Sequence, residues 1–103
     1  MNMNLGLGLR LKWQGIELVY ENNRTFVDGM RLVAKAIVKA RGRVSSDDLR
    51  EVASKLKIAP DHCNAWGSIT KGKIWKCIGR KKSELPSNHG REIRVWSFSE
   101  VAL

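Results

Sequence analysis

The centre of the chain is the stretch Pro-Asp-His-Cys-Asn-Ala-Trp-Gly-Ser-Ile-Thr-Lys, residues 60–71, whose pattern predicts a helix. Proline suits the first helical position, where its missing N–H is not needed, and Gly72 tolerates a positive φ just after the end. Because successive helical residues turn by about 100°, the side chains divide into two faces. One face carries His62, Ala65, Trp66 and Ile69, and the other carries Asn64, Ser68 and Lys71. We expect the first face to pack in the core and the second to contact a partner.

Two further helices are predicted before this stretch. Apolar residues recur at three- and four-residue steps over residues 26–38, with Thr25 suited to cap that helix and Gly42 suited to end it. Ser45 is the expected N-cap of the next helix, which should stop near Lys57. A short turn then leads to the central stretch, so the second and third helices form a helix-turn-helix pair.

After the central stretch the apolar pattern changes from helical to alternating. Residues 74–79 and 91–98 are typical of two strands, and residues 80–90 form a polar loop between them. Three helices followed by a two-stranded hairpin with a basic loop predict an α+β winged helix-turn-helix domain over residues 25–103. Its core should include the tryptophans, which fall on the buried side of their elements: Trp66, Trp75 and Trp96.

Residues 1–24 form an N-terminal extension. Alternating apolar residues over 9–20, interrupted by Gln14-Gly15, predict a β-hairpin with six apolar side chains on one face. A short helix also fits the spacing of Leu9, Trp13, Ile16 and Tyr20. The apolar face must cover either the main domain or a second copy of the chain, so a homodimer through the hairpin is one possibility.

The charge of the chain points to a polyanionic partner. A formal net charge of +9 on 103 residues exceeds what solubility requires. Six cations and no carboxylate fall within residues 71–82, at the end of the predicted helix and the start of the wing. Phosphate contacts position a protein on a duplex, whereas short polar side chains can read base edges. The predicted double-stranded DNA contacts are Asn64, Ser68, Lys71, Lys73, Lys76, Arg80, Lys81, Lys82 and Arg91.

Metal, cofactor and catalytic sites are not expected. His62, Cys63, Cys77 and His89 are zinc-ligand types, but no CxxC or HxxxH spacing is present, and buried free cysteines are the better interpretation. No nucleophile has a recognisable base and orienting carboxylate, and no phosphate-binding glycine motif occurs. His62 should be half-buried, and His89 should order the loop. Two cysteines, no signal peptide and no membrane span indicate a cytoplasmic protein.

A family resemblance adds to this interpretation. The patterns Asn-Ala-Trp-Gly at residues 64–67 and Pro-Ser-x-His-x-Arg-x-x-x-Val-Trp at residues 86–96 resemble those of small winged-helix proteins of bacteriophages and prophages. The likeness covers residues 25–98 and implies a winged-helix fold acting on DNA, in the host cytoplasm if the protein is phage-encoded. The chain departs from the expected basic wing at Glu84-Leu85.

Two classes of function follow. The first is a DNA-binding protein, regulatory or accessory to replication, that acts by occupancy without catalysis. The second is a winged-helix scaffold that binds another protein, for instance as an inhibitor of a host enzyme. Binding of double-stranded RNA or of single strands is a third possibility.

Overall fold

The computed structural model describes residues 8–21, 25–86 and 90–99. Over these residues the chain is a mixed α+β structure of three helices and two small antiparallel sheets. In chain order the elements are β1 (Leu9–Trp13), β2 (Ile16–Tyr20), α1 (Phe26–Arg41), β3 (Val44–Ser45), α2 (Ser46–Leu56), α3 (Ala65–Ile69), β4 (Trp75–Lys82) and β5 (Glu92–Phe98). One sheet is β1-β2, and the other has the strand order β3-β5-β4.

The N-terminal hairpin is confirmed, including its register, and the alternative of a short helix is wrong. The predicted cross-strand pairs are Leu9 with Tyr20, Leu11 with Leu18, Lys12 with Glu17 and Trp13 with Ile16. Gln14 and Gly15 have φ values of 49° and 83°, which the tight turn between right-twisted strands requires.

The apolar face of the hairpin covers the main domain. Trp13, Leu18 and Tyr20 are buried in the same core cluster as the helices. The opposite face, with Lys12 and Val19, is exposed. A homodimer through the apolar face would therefore have to displace the hairpin from its own domain.

Docking of the hairpin depends on a glycine inside α1. A Cβ atom on Gly29 would lie 2.8 Å from Cδ1 and 2.9 Å from Cζ of Tyr20, well inside van der Waals contact. The missing side chain lets the tyrosine ring lie against the helix backbone. Burial raises the pKa of the Tyr20 hydroxyl above its usual 10.0.

A second contact fixes the other strand of the hairpin. The indole Nε1–H of Trp13 donates to Oε1 of Glu51 in α2 at 3.1 Å. Arg41, at the end of α1, lies 5.2 Å from the centroid of the same ring and donates to Oε1 of Gln14 at 2.7 Å. The hairpin is thus tied to both long helices.

The ends of α1 and α2 confirm the predicted caps. Thr25 Oγ1 accepts from the Asp28 amide, and Gly42 ends α1 with φ of 86°. Ser45 and Asp48 form a capping box at the start of α2, in which each side chain accepts from the backbone N–H of the other.

Strand β3 is an element that the sequence analysis missed. Val44 and Ser45 pair with Trp96 and Val95 of β5, which makes the second sheet three-stranded. Two residues are too few to show an alternating pattern, and the cap signal at Ser45 dominates the local sequence.

The predicted third helix is much shorter than residues 60–71. Helix α3 covers only Ala65–Ile69, and residues 61–64 form bends and turns. Residues 61–64 are Asp, His, Cys and Asn, which are weak helix formers, and Gly67 further disfavours the helix. The backbone N–H of Asn64 is bonded to Nδ1 of His62 at 3.2 Å. His62 is exposed, contrary to its expected half-buried position, because the helix whose packing face was to carry it begins only at Ala65.

The second sheet also departs from prediction. Strand β4 continues through Lys82, so Arg80, Lys81 and Lys82 are strand residues and do not open the loop. The register shifts between Cys77 and Gly79, where Ile78 bulges out with 51% exposure. Pairing with β5 extends the strand beyond the point where apolar alternation stops, which explains the error.

The prediction that the cysteines are buried differs in its outcome from the prediction that the tryptophans belong to the core. Cys63 and Cys77 are both free but exposed, so the prediction of buried thiols is wrong. Cys63 precedes α3 and has no helix face on which to pack. Trp75 is buried, while Trp66 and Trp96 are half-buried against the core, as their positions predicted.

Substitution of Gly29 tests the docking of the hairpin. Gly29→Ala should lower the free energy of unfolding by about 1–3 kcal/mol, because the new methyl group displaces the Tyr20 ring. Tyr20 is the single tyrosine, so absorbance titration reports it alone. Its raised pKa contributes stability that is complete below pH 10.0 and is lost as pH rises through the folded-state pKa. The midpoint should fall towards 10.0 in the variant.

Gly67→Ala is the matched control, because a Cβ atom there meets nothing within 4 Å. It should leave the tyrosine titration unchanged. Equal stability and equal titration of Gly29→Ala and wild type would contradict the proposed docking.

Candidate functional site

A groove between α3 and the three-stranded sheet is the candidate site. It has a volume of about 680 Å³ and is open to solvent. Its lining residues come from α2, α3, the residues flanking α3, and β5: Ser46, Asn64, Trp66, Gly67, Ser68, Thr70, Lys71, Ile93, Arg94 and Trp96. Three of the predicted contacts, Asn64, Ser68 and Lys71, therefore share one groove.

Helix α3 is held in place by its neighbours. Phe26 of α1 meets Trp66 edge to face, with ring centroids 5.2 Å apart. Arg50 of α2 lies over the same indole at 4.6 Å from its centroid. Arg31 of α1 donates from Nη2 to the Ser68 carbonyl at 2.9 Å. Together with the fully buried Ile69, these contacts fix a helix of five residues.

The polar residues of the groove are available for hydrogen bonding. Asn64 is exposed at the first turn of α3, and its side chain makes no capping hydrogen bond. Ser68 is half-buried on the groove wall. Lys71 is exposed just beyond the end of the helix. The arrangement places amide and hydroxyl groups on the wall of the groove and a cation at one end.

Arg94 is a groove residue that the sequence analysis missed as a contact. It is exposed on β5 and lines the groove beside Trp96. The signal is present in the sequence, because strand alternation over residues 91–98 puts Arg94 on one face with Trp96 and Phe98. The position of α3 over that face is a tertiary relationship that the sequence pattern does not contain.

Strand alternation divides the basic cluster of β4 between the two faces of the sheet. Arg80 pairs with Arg94, and Lys82 pairs with Glu92, so these residues share the face that carries Arg94. Lys81 lies between Arg80 and Lys82 in β4, so strand alternation places its side chain on the reverse face.

The remaining predicted contacts lie outside the groove. Lys76 pairs with Ser97, which places it on the same face as Lys81. Lys73 is exposed in the turn before β4, and Arg91 is exposed at the end of the wing loop. The carbonyl of Arg91 accepts from the Ser83 N–H at 2.8 Å. Of the predicted cations outside the groove, only Arg80 and Lys82, on the sheet face that carries Arg94, therefore extend it.

The base of the loop between β4 and β5 is tied to α2. The buried carboxylate of Asp47 accepts from Ser83 Oγ at 2.6 Å and from the Glu84 N–H at 2.7 Å. Glu84 and Leu85, which interrupt the basic wing, are thus part of an anchoring turn. Leu85 also lines a second groove, of about 540 Å³, with Ile58 and Trp66.

The described residues contain no group of three His, Cys, Asp or Glu side chains that could hold a metal ion. His62 and Cys63 are neighbours in the segment before α3, Cys77 lies in β4, and all three are exposed. His89 and its expected role in the loop lie outside the described residues. Within the part of the chain that is described, no helix has the length and apolar character needed to span a membrane.

Comparison of the chain with protein-family models, with curated proteins and with solved structures finds no match.

Substitution of Asp47 tests the anchoring of the β4–β5 loop. In Asp47→Asn the charged acceptor becomes neutral and the hydrogen bonds from Ser83 and Glu84 are weakened, so we expect a loss of about 1–3 kcal/mol in the free energy of unfolding. Urea denaturation measures this loss. Asp61→Asn, at an exposed carboxylate, is the control and should remain within about 0.5 kcal/mol of wild type. Equal stability of the two variants would show that the wing is not anchored through Asp47.

Proposed function

We propose that the chain is a winged-helix protein that binds double-stranded DNA and acts by occupancy, without catalysis. The order of elements from α1 to β5 is helix, strand, helix, helix, strand, strand, with β3 paired to β5. This order, with a short helix packed beside a β-hairpin, supports the winged-helix assignment. The resemblance to phage and prophage proteins makes a regulatory or replication-accessory role in the host cytoplasm part of the same proposal.

The observation that carries the proposal is the joining of hydrogen-bonding groups and cations in one groove. Asn64 and Ser68 supply an amide and a hydroxyl, and Lys71 and Arg94 supply the cations. An amide can pair with an adenine edge, and an arginine with a guanine edge or a phosphate. The net charge of +9 provides the long-range attraction.

The shortness of α3 changes how the base contacts are made. Five residues rise only about 7.5 Å, so the helix does not lie along a major groove over several turns. Asn64 at one end, Ser68 near the other and Lys71 beyond it form a short reading edge. Arg80 and Lys82 on the same sheet face then extend the contact to the phosphate backbone.

Ion pairing leaves most of this charge available. Arg80 has a carboxylate neighbour, Glu92, at 3.3 Å, but both side chains are more than half exposed. Such pairs contribute little and exchange readily for a phosphate. Lys71, Lys82 and Arg94 have no ion pair to any described carboxylate. A phosphate can therefore bind these cations without the loss of a strong ion pair.

A second candidate function, as a protein-interaction module, has its own supporting observation. The groove around Leu85 is lined by Ile58, Trp66 and the stem of Lys55, and it lies beside the anchored wing turn. Capture of a host protein that survives nuclease and high salt, and that is lost in Leu85→Ser, would support this function. Capture that disappears with nuclease would count against it.

A salt titration tests the DNA-binding proposal. Wild type should bind a duplex more tightly than single-stranded DNA or RNA, with an affinity that falls steeply as salt rises. Lys71→Gln/Arg94→Gln should lower the slope of log affinity against log salt by about 2 and weaken binding about tenfold at moderate salt, because two phosphate or base contacts are lost. Fluorescence anisotropy measures both.

The matched control is Arg10→Gln/Lys12→Gln, which removes the same charge from the exposed face of the hairpin. It should reduce affinity far less than the groove variant. Absence of duplex binding at low salt, or equal losses in the two variants, would overturn the assignment of the groove.

A further inference from the structure

We propose that the reverse face of the three-stranded sheet is a second phosphate-binding surface, so that one molecule bridges two DNA duplexes. This inference rests on the proposed function and extends it. The groove beside α3 binds the first duplex. The second surface is defined by Arg41, Arg43 and Lys81, and we refer to it as the reverse basic surface.

The reverse basic surface is a small cleft where α1, β3 and β4 meet. Its volume is about 60 Å³, and it is lined by Arg41, Arg43, Ser45, Asp48, Lys81 and Val95. Val95 pairs with Ser45, and both residues line this cleft together with Lys81.

The alternation of side chains along β5 shows to which side of the sheet the reverse basic surface points. Arg94 and Val95 are consecutive strand residues, so their side chains point to opposite sides of the sheet. Arg94 lines the groove beside α3, and Val95 lines the reverse cleft. The two sites are therefore back to back, separated by the sheet itself.

Charge favours an anion in the reverse cleft. Three cations meet one carboxylate there, and Oδ2 of Asp48 already accepts from the Ser45 N–H at 2.9 Å. The ion pairs among the described residues involve neither Arg43 nor Lys81. Arg41 is oriented by Gln14 and by the Trp13 ring, so less conformational freedom is lost when it contacts a ligand.

One further cation, Lys76, lies on the same sheet face as the cleft. It pairs with Ser97, whose hydroxyl donates to the Gly42 carbonyl at 2.9 Å. This contact brings the end of β5 next to the turn that carries Arg43. Cations spread along one face suit the several phosphates of a nucleic-acid backbone better than a single small anion.

A single duplex does not readily reach both faces. The major groove, about 12 Å wide, admits a two-stranded ribbon. At Val95 and Trp96, β3 adds a third strand beside β5, which makes the backbone alone about 10 Å wide there before side chains are counted. Arg41 ends α1 and Arg43 lies in the connection between α1 and β3, so both belong to the body of the domain. The second surface is thus placed to meet a separate duplex.

Bridging is tested with two duplexes. One duplex is biotinylated and held on streptavidin beads, and the second, fluorescent and free, is captured only when a protein binds both. Full-length wild type should capture the free duplex. Arg43→Gln/Lys81→Gln should capture about tenfold less, because two phosphate contacts are lost, while its anisotropy affinity for a single duplex changes by less than about twofold. Arg43→Lys/Lys81→Arg keeps both charges and should capture like wild type.

The outcomes separate this inference from the proposed function. No duplex binding by anisotropy would overturn the proposed function itself. Single-duplex binding without capture would overturn only the bridging. Capture that persists in Arg43→Gln/Lys81→Gln would assign bridging to self-association, and a parallel loss of single-duplex affinity would show that both faces hold one duplex. Either result would overturn the inference.

Discussion

Trp66 lies between Phe26 of α1 and Arg50 of α2, and the candidate site depends on this packing. A five-residue helix is not stable by itself, since nucleation costs more than so few hydrogen bonds return. The indole, the buried Ile69 and the bond from Arg31 to the Ser68 carbonyl replace the missing helical turns. The groove therefore owes its shape to side-chain packing.

The elements that were predicted correctly have strong local signals. The hairpin is specified by alternation around Gln14-Gly15, and α1 and α2 by apolar periodicity with caps at Thr25 and Ser45. The extent of α3 was wrong because proline, glycine and an amphipathic pattern suggested a helix that weak formers at residues 61–64 do not support. The contact of Gly29 with Tyr20 has no local signal at all, because it joins two separate elements.

The residues of the site divide in the same way: a local sequence pattern identifies some of them, and only the tertiary structure identifies the others. The sequence analysis identified Asn64, Ser68 and Lys71, which the structure brings together in one groove. Arg94 was missed because its relation to α3 is tertiary. The cluster over residues 71–82 is continuous in sequence, yet strand alternation and pairing distribute it over both faces of the sheet. Linear charge density therefore predicts a polyanionic partner but does not show that the cations lie on two faces.

The most direct test of the central claim, that DNA occupies the groove beside α3, is an NMR titration of the ¹⁵N-labelled chain with an excess of a short duplex. If DNA occupies this groove, the largest amide shifts will fall on Asn64, Ser68, Lys71 and Arg94, with smaller shifts along β4. Shifts confined to Ile58 and Leu85, or to the hairpin, would contradict it, because the duplex would then be bound elsewhere or not at all.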